Sequence, residues 1–164
     1  MSAVDNAQTW RDLADQLTPE QIAKMERHER TWASMPDGSE DARTGLLFGA
    51  RELIGQNLAA AFYQDIPSPG GAETIGPWEP WDDDDDVWAR VWEGRSSRVN
   101  IAAGNEIEVW VGGIQRGDGR CTRQVSLGAG RGDEQLTAGE ARQLADALTE
   151  AADELDALNA GADL

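Results

Sequence analysis

The sequence predicts an α+β fold, with an N-terminal α-helical region followed by a four-stranded antiparallel meander packed by a C-terminal helix. Three observations carry this. Apolar residues recur at helical spacing over residues 1–65, alternate over residues 87–127, and return to helical spacing over residues 137–158. The stretch between the first two is rich in Pro and Gly. It divides the chain into a helical region at 1–65, a linker at 66–86 and a ββββα domain at 87–164.

Within the helical region, Trp10, Leu13, Ala14 and Leu17 follow the 3 and 4 spacing of one helical face. Thr18-Pro19-Glu20-Gln21 then reads as a restart. The hydroxyl stands at the N-cap, Pro stands where no amide hydrogen is needed, and Gln reaches back to the cap. A helix through Ile22, Met25 and Trp32 should stop at Met35-Pro36-Asp37-Gly38, because the residue before Pro avoids helical angles. A third helix, residues 41–64, carries Leu46, Leu47, Ala50, Leu53, Ile54 and Leu58. At 1.5 Å per residue it is about 36 Å long, more than a small domain needs. Its glycines, Gly45, Gly49 and Gly55, would permit close helix contact. A possible homodimer through Leu46, Ala50, Leu53, Ile54 and Leu58 follows as an expectation.

The linker ends in five consecutive carboxylates, Asp82, Asp83, Asp84, Asp85 and Asp86. Their mutual repulsion makes a solvated loop the plain expectation. In the first strand Val87, Ala89 and Val91 point one way, and Trp88, Arg90 and Trp92 the other. A shorter extended run at 98–102 forms the second strand. In the third, Ile107, Val109 and Val111 oppose Glu106, Glu108 and Trp110. The glycines and Asp of Arg116-Gly117-Asp118-Gly119-Arg120 mark a hairpin, and residues 121–127 return. Thr137-Ala138-Gly139-Glu140 is a second capping box, opening a helix whose apolar stripe includes Leu144, Leu148, Leu155 and Leu158. That stripe must be buried, and the nearest apolar surface is the sheet.

Residues 106–158 resemble small uncharacterised domains of actinobacteria and their phages. Those domains have a strand ending in Gly-x-Gln, an Asp-Gly turn, a return strand and a helix opening Leu-Thr-x-x-x-Ala-Arg-x-Leu-Ala. Gly113 and Gln115, Asp118 and Gly119, and Leu136, Thr137, Ala141, Arg142, Leu144 and Ala145 match that pattern. The resemblance implies fold and source. The family has no established activity, and residues 1–80 show no such likeness.

The chain has 164 residues, 14 of them Lys or Arg and 31 Asp or Glu, a formal net charge of −17. Such a surface repels a phosphate backbone, so direct nucleic-acid binding is not expected. No stretch approaches the roughly 20 apolar residues that cross a bilayer, and MSAVDNAQTW lacks the basic-then-apolar order of a secretory signal. The expectation is a cytoplasmic protein without membrane contact. Catalytic signatures such as G-x-S-x-G, H-E-x-x-H and the Walker lysine motif are missing. Cys121 reads as a small strand residue and His28 as a solvated helix residue. No metal site and no cofactor are expected.

Tryptophan is enriched, with seven residues, and Trp78, Trp81, Trp88 and Trp92 crowd around the acidic run. Indole rings are frequent interface anchors, while long-range charge speeds encounter. The sequence therefore suggests a non-enzymatic interaction or regulatory accessory protein of an actinobacterium or its phage. Trp78, Trp81, Trp88, Trp92 and the five aspartates would face a host or cellular protein with a basic surface. The alternative is an acidic DNA mimic that inhibits a nucleic-acid-binding protein.

Overall fold

A computed structural model describes residues 6–34, 39–81, 87–101, 105–129 and 135–162. The helix stop at Met35-Pro36-Asp37-Gly38 and the five aspartates at 82–86 lie outside the described residues. The chain divides into two compact units, Met1–Gln64 and Asp65–Leu164.

In the first unit a 3-10 helix, Trp10–Gln16, precedes helices α1, Pro19–Ala33, and α2, Ser39–Phe62. With three residues per turn, Trp10 and Leu13 fall in line, and both are buried. The Asp12 Oδ2 accepts from the backbone N–H groups of Thr9 (2.9 Å) and Gln8 (3.0 Å). Helix α1 opens as its sequence demands: Thr18 Oγ1 accepts from the Gln21 N–H (3.3 Å), and Gln21 Oε1 accepts from the Thr18 N–H (2.9 Å). The same Gln21 amide pairs with Asn57 of α2, whose Nδ2 also donates to the Gln16 carbonyl (3.1 Å). One amide cluster thereby joins all three elements. Beside it lies a core of Trp10, Leu13, Leu17, Met25, Leu46, Ala50 and Ile54. A Cβ at Gly45 would come within 2.9 Å of Trp32 Cη2, so this glycine admits the indole of α1.

The second unit is an antiparallel sheet of five strands under one helix. Strands β1, Thr74–Ile75, and β2, Glu79–Pro80, both pair with β3, Trp88–Ile101, which is followed by β4, Asn105–Arg116, and β5, Cys121–Ala129. Helix α3, Ala138–Ala162, packs on the sheet. Its capping box forms, with Thr137 N–H donating to Glu140 Oε2 (2.6 Å) and Glu140 N–H to Thr137 Oγ1 (3.3 Å).

The sheet departs from the expected meander in two ways. The strands read at 87–92 and 98–102 are a single strand, β3, interrupted by a bulge. Glu93 is opposite Gly112 and Ser96 opposite Trp110, so two residues of β3 face one of β4. One extra residue reverses the alternation. Trp92 before the bulge and Val99 and Ile101 after it all turn to the helix side, which is why the pattern read as two strands. The stretch read as a linker is also corrected in part. Thr74 and Ile75 pair with Glu93 and Trp92, and Glu79 and Pro80 with Ala89 and Trp88, so part of 66–86 is sheet. Each segment is two residues long and carries no alternation to read.

Helix α3 covers Trp92, Val99, Ile101, Ile107, Val109 and Val111, with Leu144, Leu148, Leu155 and Leu158 packed against them. The alternation set Trp88, Arg90 and Trp92 against a face of Val87, Ala89 and Val91. The Trp92 face is covered, because Trp92 offers far more apolar area than Val91, which stays 46% exposed.

Candidate functional site

The four tryptophans assigned to a contact surface separate into two classes. Trp92 (1% exposed) and Trp78 (3%) are core residues of the second unit. Trp81 and Trp88 are half-buried, and the Trp81 N–H donates to the Val87 carbonyl across the ends of the acidic run (2.6 Å).

Trp78 belongs to a lock that fastens residues 66–78 to the sheet. The Arg90 guanidinium stacks on its ring at 4.5 Å. Arg90 Nε donates to Gln115 Oε1 (2.8 Å), and Gln115 Nε2 donates to the Pro67 carbonyl (2.9 Å). Gln115 is only 3% exposed, and these bonds satisfy its amide. Burial pulls the Arg90 guanidinium below its ordinary pKa, with neighbouring Cys121 acting in the opposite sense. The Gln of the Gly-x-Gln pattern is thus a fastening residue.

Of the residues expected at a dimer contact, Leu46, Ala50 and Ile54 are buried in the core of the first unit, and Leu53 packs against it. The 3-10 helix and α1 cover that face. Leu58 instead stands 67% exposed, with Phe48 (68%) and Phe62 (80%). At 100° per residue these three fall within an 80° arc opposite the buried face, so α2 is apolar on two sides.

On the sheet face away from α3, a cleft of about 230 Å³ lies beside the bulge, lined by Glu73, Thr74, Glu93, Ser96, Glu108 and Trp110. Thr74 Oγ1 donates to Glu93 Oε2 (3.5 Å). The Ser96 side chain first and the Arg98 guanidinium second hold the Glu108 carboxyl below the usual carboxylate range. Arg98 Nε lies 3.4 Å from Glu106 and 3.3 Å from Glu108. Trp110 forms one wall. A Cβ at Gly112 would sit 3.1 Å from its Cδ1, and one at Gly128 3.1 Å from its Cζ3, so the indole lies across two glycines that leave it room. Among the described residues no three His, Cys, Asp or Glu side chains are grouped to hold a metal ion. The cleft sets carboxylates beside an indole face, the two kinds of group that attract an organic cation.

Sequence reasoning missed Glu73, Glu93, Glu108 and Trp110 as a group. The alternation in β4 did place Glu108 and Trp110 on one face. The bulge and the β1 pairing, which bring Glu93 and Glu73 beside them, have no such signal. No helix of the described residues is long and apolar enough to cross a membrane. No protein-family model matches the chain, and no curated protein or solved structure matches it.

Proposed function

We propose that this is a protein–protein interaction module that binds a partner with a basic surface and seats one of the partner's Lys or Arg side chains in the cleft of Glu73, Glu93, Glu108 and Trp110. The observation that carries this is the meeting of three carboxylates and an indole on the sheet face away from α3. At about 230 Å³ the cleft suits one side chain better than a metabolite, since ligand pockets run from about 300 Å³ upward. The net charge of −17 adds long-range attraction for such a partner, and the aspartates between Trp81 and Val87 contribute five of those charges. The source, an actinobacterium or its phage, rests on the likeness of residues 106–158.

The test is quantitative affinity capture from an actinobacterial lysate with the wild-type chain, Trp110→Ala and Glu93→Gln/Glu108→Gln as baits. A specific partner should be retained by the wild type and depleted at least tenfold by both variants, as expected for an aromatic anchor worth about 2 kcal/mol. Equal capture by all three baits would exclude this cleft.

A further inference from the structure

We infer that the β4–β5 hairpin carries a binding site for a phosphate group, formed by Arg116, Arg120 and Arg123 around Cys121. In a chain this acidic the basic residues are unevenly spread: residues 94–133 hold 6 basic and 4 acidic groups, whereas residues 134–164 hold 1 and 8. Three of those arginines line one cavity of about 540 Å³ with Gly119, Cys121 and Thr122, and no carboxylate is among the lining residues. The size is that of a small-molecule site.

The cations in this cavity are under-used. Among the described residues Arg116 and Arg123 have no carboxylate at ion-pair distance, and Arg120 has only Asp118, at 3.5 Å on the exposed turn. Arg123 Nε is buried and makes no hydrogen bond within the described residues. The Arg123 guanidinium lines the cavity without a carboxylate partner among the described residues, and an oxyanion there would supply one. Guanidinium groups match phosphate oxygens with paired N–H donors, which favours a phosphate group over a spherical anion such as chloride. Gly119, with φ of +86°, makes the tight turn that carries Arg120 back beside the strand ends.

Cys121 is the single cysteine of the chain, is half-buried and lines the cavity, so its alkylation reports on occupancy. The experiment compares iodoacetate with iodoacetamide, reagents of nearly equal size that differ by one negative charge. On a protein of net charge −17 iodoacetate should be the slower reagent relative to a free thiol. With the arginines in place, the iodoacetate-to-iodoacetamide rate ratio should instead exceed that of free cysteine by threefold or more. Inorganic phosphate at constant ionic strength should slow both reagents saturably, whereas chloride should not. A parallel arm with phenyl phosphate identifies the source of the group: stronger protection than by inorganic phosphate assigns a phosphomonoester, and equal protection assigns free phosphate.

Arg116→Gln/Arg120→Gln, at the exposed ends of the turn, and Arg123→Gln, within β5, should each lower the rate ratio and weaken protection at least fivefold. The turn variant keeps the test decisive if the strand variant fails to fold. Absence of saturable protection in the wild type, or equal protection in the turn variant, would overturn the site.

Discussion

At the residue scale the second unit depends on a few positions where size is decided by contact. Trp92 is the largest side chain fully buried in the sheet core, and a buried indole withdraws about 150–250 Å² from water. Trp92→Ala is expected to cost about 3–5 kcal/mol, read as a lowered midpoint in urea unfolding. A loss below 1 kcal/mol would place the ring outside the core. Gly113 is constrained by the opposite effect: a Cβ there would lie 2.0 Å from the Thr122 carbonyl oxygen, so the strands close only over a hydrogen atom. In the first unit, Asp12 accepts two backbone N–H groups, and these bonds hold its carboxyl below the usual range. A depressed folded pKa contributes stability that is complete above the unfolded value of about 3.9 and lost as pH falls through the folded one. The destabilisation caused by Asp12→Asn should therefore shrink as pH is lowered from 5 toward 2, followed by thermal melts of the helical signal. A difference independent of pH would contradict the role of the charge.

At the element scale, the bulge in β3 sets which side chains reach the core. One extra residue between Glu93 and Ser96 brings Trp92 into phase with Val99 and Ile101. Deleting Arg95 should restore regular pairing and turn one of those sets outward, because a one-residue slip moves every side chain to the other face. Loss of the cooperative melt of the second unit is the expected outcome, and an unchanged midpoint would mean that the bulge is incidental. Helix α2 carries a second prediction. With Leu46, Ala50 and Ile54 covered in their own unit, self-association must use the outer stripe of Phe48, Leu58 and Phe62. Light scattering of the wild type should then give a dimer mass that Phe62→Asp reduces to the monomer, and a monomeric wild type would remove the idea.

The elements that were legible in the sequence are those specified by local chemistry. Thr18-Gln21 and Thr137-Glu140 close as capping boxes, and the hairpin closes where the Arg116 N–H donates to the Arg120 carbonyl at 2.8 Å. What escaped depends on pairing at long range. The direction of Trp92 follows from a bulge that no single residue type announces. Strands β1 and β2, with two residues each, exist only because β3 offers them an edge. The fastening role of Gln115 needs Pro67, 48 positions away.

At the scale of the whole molecule, charge and open surface point in one direction. A net −17 opposes compaction and is tolerated because each unit has a core of its own. In the proposed complex the same charge would attract a basic partner over a Debye length of about 8 Å at physiological salt, and the indole would provide the short-range contact. The arginine-lined hairpin is the exception within this field, which is why a different, anionic ligand is assigned to it. Seven tryptophans give seven indole N–H reporters, of which Trp10, Trp78 and Trp92 are buried in the two cores. The most direct measurement is therefore a two-dimensional NMR titration of the indole N–H resonances with the captured partner. The expected result is a saturable shift of Trp110, absent in the Glu93→Gln/Glu108→Gln variant, with Trp10, Trp78 and Trp92 unmoved. Saturable binding that leaves the Trp110 resonance in place would contradict it.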